Sequence, residues 1–117
     1  WLEKNLNEAK RAGEKVILFC HFPVFPKDVH NLWNAKQVLT VLTRHPHVVA
    51  YMNGHNHAGG YGKLSGQHYV TFKGMVNTHE TAFSVVHVHR DRLEIKGEGR
   101  QQDKTLPLPA ASKKAGD

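Results

Sequence analysis

The sequence has little cysteine and no long apolar run. Its 117 residues include a single cysteine, Cys20, which excludes a disulfide within the chain. This scarcity suits a reducing compartment, and we therefore expect a cytoplasmic protein. No uninterrupted hydrophobic stretch approaches the roughly 20 residues that span a bilayer, so no membrane partner is expected.

Acidic residues are also few, with 10 Asp and Glu against 16 Lys and Arg and a formal net charge of +6. Such an excess favours anionic partners such as phosphates or nucleic acid. The basic residues are scattered, however, and no predicted helix carries a basic stripe. A solvated surface therefore explains them better than a nucleic-acid interface does.

What is present in the first half is an alternation of short helices and apolar strands. Residues 1 to 12 have helical apolar spacing, and the chain begins inside this helix without an initiator methionine, which favours a piece of a longer protein. The run KVILFC at 15–20 predicts a strand buried on both faces. Residues 34–45 return to helical spacing, and HVVAYMN at 47–53 predicts a second buried strand.

The second half has the two-residue periodicity of antiparallel hairpins. YGKLSGQHYVTFKG at 61–74 and AFSVVHVHRDRLEIKGEG at 82–99 each predict two strands around a turn. From Arg100 onward the chain mixes Pro, Ala, Ser and Lys without periodicity. We therefore predict one folded unit over 1–99 and a mobile tail over 100–117.

Histidines follow both apolar strands of the first half. His21 comes directly after the first strand, and His55 and His57 follow the second in AYMNGHNHAGGYG at 50–62. If the two strands are neighbours, these imidazoles converge at one sheet edge, where α/β proteins place functional groups. Neutral imidazole is a common metal ligand, so the glycine-flanked pair predicts metal binding, the alternative being turn histidines that hydrogen-bond to water.

The two histidine segments also carry a family resemblance. LFCHFP at 18–23 and GHNH at 54–57 resemble the last two metal-binding motifs of the calcineurin-like metallophosphoesterases. The resemblance implies that His21 and His55 ligate one ion of a binuclear centre and that His57 ligates the other. The two divalent ions would be manganese, with iron or zinc as alternatives.

The same resemblance implies the fold. It predicts an α/β chain that forms the carboxyl-terminal half of a four-layer αββα sandwich, with a mixed sheet and a hairpin-rich carboxyl-terminal region. The remaining metal ligands and the catalytic histidine would lie upstream of Trp1, so no catalytic residue is assigned within this chain. The chain alone is therefore expected to be inactive.

A finer resemblance covers nearly the whole chain. The segments WLEKNLNEAKRAGEKVILFCHFPVFP, VTFKGMVNT and LEIKGEGR are similar to manganese-dependent ADP-ribose/CDP-alcohol diphosphatases. This implies that the intact parent hydrolyses the diphosphate bond of a small nucleotide substrate. Other calcineurin-like phosphodiesterases or phosphomonoesterases, and a non-catalytic binding module, are the alternatives.

Aromatic side chains near the predicted metal ligands are candidates for substrate binding. A nucleotide base could stack on Phe25, Trp33 or Tyr61. Core packing is the alternative, above all for Tyr61, which begins a strand. His87 and His89 are predicted to share a solvated strand face, and His30 and His68 are assigned no role.

Overall fold

The computed structural model describes residues 1–110, which form two helices and seven strands. No helix in this part of the chain is long and apolar enough to cross a membrane. The elements in chain order are α1 Leu2–Arg11, β1 Val16–Cys20, α2 Ala35–Thr43, β2 Val48–Asn53, β3 Gly60–Leu64, β4 Gln67–Thr71, β5 Ala82–Val88, β6 Arg92–Gly99 and β7 Lys104–Pro107.

The first sheet is mixed and has the strand order β1-β2-β4-β3. Strand β2 pairs in parallel with both β1 and β4, and β3 is antiparallel to β4. Helix α2 forms the crossover from β1 to β2, as the order of the apolar segments predicts. The predicted hairpin turn is also present, and both Ser65 and Gly66 adopt the positive φ that a tight hairpin requires.

The second sheet is antiparallel, with the order β5-β6-β7. The prediction of a mobile tail from Arg100 is wrong for residues 104–107, because these residues form the third strand of this sheet. These residues pair with β6, and Leu106 lies opposite Leu93 and is 1% exposed. A four-residue strand with one inward apolar side chain is too short to show periodicity. Residues 111–117 of the predicted tail lie outside the described part of the chain.

Two apolar clusters join three layers. On one face of the first sheet, side chains of α1 and α2 pack on β1, β2 and β4, around Leu6, Leu42 and Tyr51. On the other face, the first sheet meets the second through Ala50, Met52, Val70, Leu93, Ile95 and Leu106. The predicted α/β fold with two sheets is confirmed. Residues 1–110 form both sheets and one of the two helical layers of the predicted four-layer sandwich. They do not form the second helical layer.

Burial differs between the two strands that the sequence predicts to be buried on both faces. The prediction holds for β2, whose six residues are all buried between flanking strands and packed layers. It is wrong for β1, where Phe19 is 75% exposed. Strand β1 is an edge strand, and the second sheet reaches Ile17 but does not cover Phe19.

Candidate metal centre

The carboxyl ends of β1 and β2 bring two histidines together. Cys20 pairs with Asn53 at the end of the parallel ladder, and the backbone N–H of Gly54 donates to the carbonyl of His21 at 3.2 Å. The segments that follow the strands therefore leave the sheet side by side. His21 Nε2 and His55 Nδ1 lie 3.1 Å apart, so the structure places both imidazoles at one edge, as the strand order predicts.

The spacing of these nitrogens suits two ligands of one ion. Metal–nitrogen bonds of about 2.1 Å at angles of about 90 to 109° place adjacent ligand nitrogens about 3.0 to 3.4 Å apart. The observed 3.1 Å between His21 Nε2 and His55 Nδ1 falls in this range, and without an ion the same distance is that of an N–H···N hydrogen bond between the two rings. Within residues 1–110, no three His, Cys, Asp or Glu side chains are grouped so that they could hold a metal ion. Among these residues, the pair can therefore supply two ligands of an ion but not a complete set.

The loop that carries His55 is held by its own backbone. His55 has a φ of +66°, a left-handed conformation that is uncommon for a residue with a side chain. Asn56 N–H donates to the carbonyl of Gly54 at 2.8 Å, and Gly59 N–H donates to the carbonyl of Asn56 at 3.0 Å. These bonds fix the turn in which the His55 ring meets His21.

The electrostatic setting of His55 favours its neutral form. Desolvation lowers the pKa of His55, and the imidazoles of His21, His30 and His57 lower it further. A neutral imidazole has the free lone pair that a metal ion needs. The cluster therefore favours the protonation state that metal binding requires.

His57 does not join this pair and faces the loop after β4 instead. Its ring lies against Gly74, where a Cβ atom would come within 2.8 Å of the imidazole. Its Nδ1 is 3.4 Å from Nδ2 of Asn77, and its carbonyl accepts the N–H of Gly74 at 3.1 Å. The resemblance assigns His57 to a second ion, and that role stays a prediction.

Two further side chains lie beside His55: Phe22, an aromatic residue that the sequence places near the predicted metal ligands, and His30, to which sequence reasoning assigned no role. The ring centroids of Phe22 and His30 lie 4.6 and 5.4 Å from that of His55. The loop after β1 brings His30 there through a turn in which its N–H donates to Asp28 Oδ1 at 2.9 Å. An irregular loop has no periodicity that predicts where its side chains lie. The sequence therefore indicated only that His30 belongs to the same loop as His21.

The three predicted substrate-binding aromatics have different surroundings. Phe25 packs on Tyr69 with ring centroids 5.2 Å apart, so part of its ring belongs to the core. Phe25 and Tyr61 both line a cleft of about 190 Å³ that also contains Asn56. Trp33 is 91% exposed and is not among the residues that line this cleft.

The hydroxyl of Tyr61 is fixed by a buried histidine. His68 is 1% exposed, and its Nε2 lies 2.7 Å from the carbonyl of Pro107. A carbonyl only accepts, so Nε2 carries the hydrogen and Nδ1 is left to accept the Tyr61 hydroxyl at 2.8 Å. His68 therefore connects β3 and β4 to β7, a structural role that its isolated place in the sequence did not predict.

Comparison with known proteins identifies relatives that match most of this chain. No protein-family model matches the chain. Proteins named manganese-dependent ADP-ribose/CDP-alcohol diphosphatase are 38% identical in Xenopus laevis and 34% identical in Homo sapiens, each over 91% of this chain. The solved structure of a dimetal phosphatase from Danio rerio matches 93% of this chain at 35% identity, with a TM-score of 0.88. The predicted resemblance is confirmed.

The similarity to these proteins covers most of this chain but only about a third of each relative. The chain spans 32% of the Xenopus laevis relative, 33% of the human relative and 37% of the solved Danio rerio chain. The high TM-score shows that the two sheets and helices are arranged as in that dimetal phosphatase. About two thirds of each relative has no counterpart in this sequence.

Proposed function

We propose that the protein to which this chain belongs is a metal-dependent hydrolase of the diphosphate bond in ADP-ribose or a CDP-alcohol. The observation that supports the proposal is the 3.1 Å separation of His21 Nε2 and His55 Nδ1 at the sheet edge, a spacing that two ligands of one ion would have. Relatives named for this activity and for manganese dependence support the substrate class and the metal. Cys20, a free thiol, supports a cytoplasmic location.

In this proposal the chain contributes one side of a two-metal site. His21 and His55 hold one ion, and His57 holds the second from the loop beside Gly74. When bound, the two ions would generate a hydroxide from water and offset the negative charge that develops on the phosphoryl oxygens. Backbone hydrogen bonds within residues 54–59 hold the turn that carries His55. Little ordering of this loop is therefore needed when an ion binds.

The cleft beside Asn56 is the proposed place for the nucleotide base. Asn56 follows His55 directly, so a substrate whose phosphates lie at the histidines can reach this cleft with its base. Tyr61 is 37% exposed, which leaves part of its ring free to stack. Trp33 is a further stacking candidate because its ring is almost fully exposed, although it does not line the cleft.

A non-catalytic binding module is the second candidate. It is favoured by one observation, that residues 1–110 group no three ligand side chains around an ion position. Under this alternative the chain would bind a nucleotide without hydrolysing it, and any ion held by His21 and His55 would not be catalytic. The two candidates differ in whether metal binding by His21 and His55 is coupled to hydrolysis in the longer protein.

The first test is manganese binding by this chain, measured by calorimetry or electron paramagnetic resonance. We expect weak binding of Mn²⁺, and we expect His21→Ala or His55→Ala to weaken it about tenfold or more, since each removes one ligand. The double variant His87→Ala/His89→Ala is the matched control and should bind like the wild type. Hydrolysis of ADP-ribose by the chain alone should be negligible.

The second test is turnover in the longer protein that contains this chain. His55→Ala and His57→Ala should abolish manganese-dependent hydrolysis of ADP-ribose while the thermal melt stays close to that of the wild type. The His87/His89 double variant should keep its activity. Near-normal turnover by His55→Ala would refute the proposed metal centre, and metal binding without any hydrolysis would favour the binding module.

A further inference from the structure

A second cleft opens between the two sheets, away from the histidine pair. It has a volume of about 230 Å³ and is lined by residues 58–61, by Val70, Thr71 and Lys73 at the end of β4, and by Ile95, Gln101, Gln102 and Lys104 of the second sheet and the segment before β7. His21 and His55 are not among its lining residues. Two lysines, Lys73 and Lys104, line the cleft, and none of the lining residues is acidic.

Lys104 is held at the cleft by an aromatic ring. Its Nζ lies 4.1 Å from the centroid of the Tyr61 ring, an arrangement in which the ring face attracts the ammonium group. Tyr61 is itself fixed, because its hydroxyl donates to His68 Nδ1 at 2.8 Å. The ring contact does not occupy the N–H groups of Lys104, which remain able to donate to an anion.

Lys73 reaches the cleft because Gly59 has no side chain. A Cβ atom at Gly59 would lie 2.7 Å from Cγ of Lys73. The backbone N–H of Lys73 donates to Oε1 of Gln101 at 2.9 Å, which ties the end of the first sheet to the segment before β7. The backbone of Lys73 is therefore held in place before any ligand arrives.

The two lysines lack carboxylate partners. The ion pairs formed among residues 1–110 involve other basic groups, and neither Lys73 nor Lys104 lies within 4.0 Å of a carboxylate there. The carboxylate nearest in sequence, Asp103, instead accepts the backbone N–H of Gly97 at 2.8 Å. The cleft thus contains two positive charges that no described acidic group neutralises.

We propose that this cleft binds a phosphate group. Two lysine side chains that line one small cleft suit a compact dianion, and charge-assisted hydrogen bonds to phosphate are among the stronger polar contacts in proteins. The small volume of the cleft favours a small anion over a nucleic acid. The phosphate is either free inorganic phosphate or the phosphate group of a small organic ester.

The proposed phosphate site goes beyond the proposed hydrolase and does not depend on it. No candidate metal ligand lines the cleft, so phosphate binding requires no divalent ion. Gly59, Gly60, Tyr61 and Thr71 nevertheless line both this cleft and the one beside Asn56. A phosphate bound here would share one wall with the proposed base site.

The test is an NMR titration of this chain, without divalent ions and at constant ionic strength. Inorganic phosphate and ribose 5-phosphate are the two probes. We expect saturable shifts centred on the amides of Gly59, Gly60, Lys73 and Lys104. Lys73→Gln and Lys104→Gln should each weaken binding about tenfold or more, because each removes a charged donor.

Matched variants separate a specific site from general charge attraction. Lys63→Gln removes the same charge from β3 outside the cleft and should leave binding unchanged, and Lys104→Arg should keep most of it. A thermal melt of each variant confirms that it is folded. Equal affinity for both probes indicates free phosphate, and tighter binding of ribose 5-phosphate indicates an organic ester.

Three results would overturn the proposal. They are the absence of saturable shifts, shifts centred on His21 and His55, and an equal loss of affinity in Lys63→Gln. His55→Ala should have no effect on phosphate binding. The phosphate site and the metal centre can therefore fail independently.

Discussion

The hydroxyl of Tyr51 in β2 donates a hydrogen bond of 2.7 Å to the carbonyl oxygen of Phe22. Phe22 follows His21 directly, so this bond joins the buried centre of the first sheet to the loop that carries one histidine of the pair. Tyr51 is 4% exposed, and burial raises the pKa of its hydroxyl, which therefore stays protonated and able to donate. A rigid central strand thus positions a residue of the candidate metal centre.

We expect Tyr51→Phe to weaken both stability and metal binding. The variant keeps the ring but leaves the Phe22 carbonyl without its partner, which should lower the free energy of unfolding by about 1 kcal/mol. His21 should then be less well positioned, so manganese affinity should fall. Urea denaturation and calorimetric Mn²⁺ titration measure the two effects.

Tyr69→Phe is the matched control for this prediction. Tyr69 is also buried in the first sheet, but its hydroxyl donates to Gln67 Oε1 at 3.3 Å and not to a loop of the metal centre. Its loss should change stability without changing manganese affinity. Equal manganese affinities for Tyr51→Phe and the wild type would show that the Phe22 bond does not position His21.

We expect Gly74→Ala to displace the ring of His57. The added Cβ would lie 2.8 Å from the imidazole, closer than van der Waals contact permits, so the ring must move. The imidazole resonances of His57 in an NMR spectrum report this movement. Gly60→Ala is the control, since a Cβ there meets no heavy atom within 4 Å. Unchanged His57 resonances in Gly74→Ala would contradict this placement of the ring.

His68 should make stability depend on pH. Burial lowers the pKa of His68 from its usual 6.5, an effect that the hydrogen bond to Pro107 partly opposes. The unfolded chain then binds a proton more readily than the folded protein, so stability is fully present above about pH 6.5 and is lost as the pH falls towards the folded-state pKa.

We expect His68→Gln to reduce this pH dependence. The variant should be less stable than the wild type at about pH 7.5, and the two unfolding free energies should converge towards about pH 5.5. Urea denaturation at a series of pH values measures the slope. His79→Gln, at an exposed position, should keep the slope of the wild type. Parallel curves for His68→Gln and the wild type would count against a His68 pKa that is lowered by burial.

We expect Leu106→Ala to destabilise the whole fold. Leu106 is 1% exposed and lies in the cluster between the two sheets, so the truncation should cost about 2 to 5 kcal/mol of unfolding free energy. Val29→Ala, at a residue that is 94% exposed, should change stability by no more than about 0.5 kcal/mol. A stability loss no larger than that of Val29→Ala would mean that β7 is not part of the packed core.

Much of this fold was predictable from local sequence pattern. The helices, β1 to β6 and the hairpin turn at Ser65–Gly66 follow from periodicity and turn composition, because these signals arise from residues close together in the chain. The parallel crossover then places His21 and His55 at one sheet edge. The sequence by itself thus determined the two helices, β1 to β6 and the fact that histidines follow both apolar strands of the first half.

Only the tertiary structure decided which groups meet. Phe19 is exposed because β1 is an edge strand. Strand β7 is part of the second sheet because Leu106 lies opposite Leu93 and both side chains are buried. The neighbours of His55 and His57, namely His30 and Asn77, come from irregular loops. Such contacts join residues far apart in the chain, and their free energy depends on the packed layers around them, so no local pattern records them.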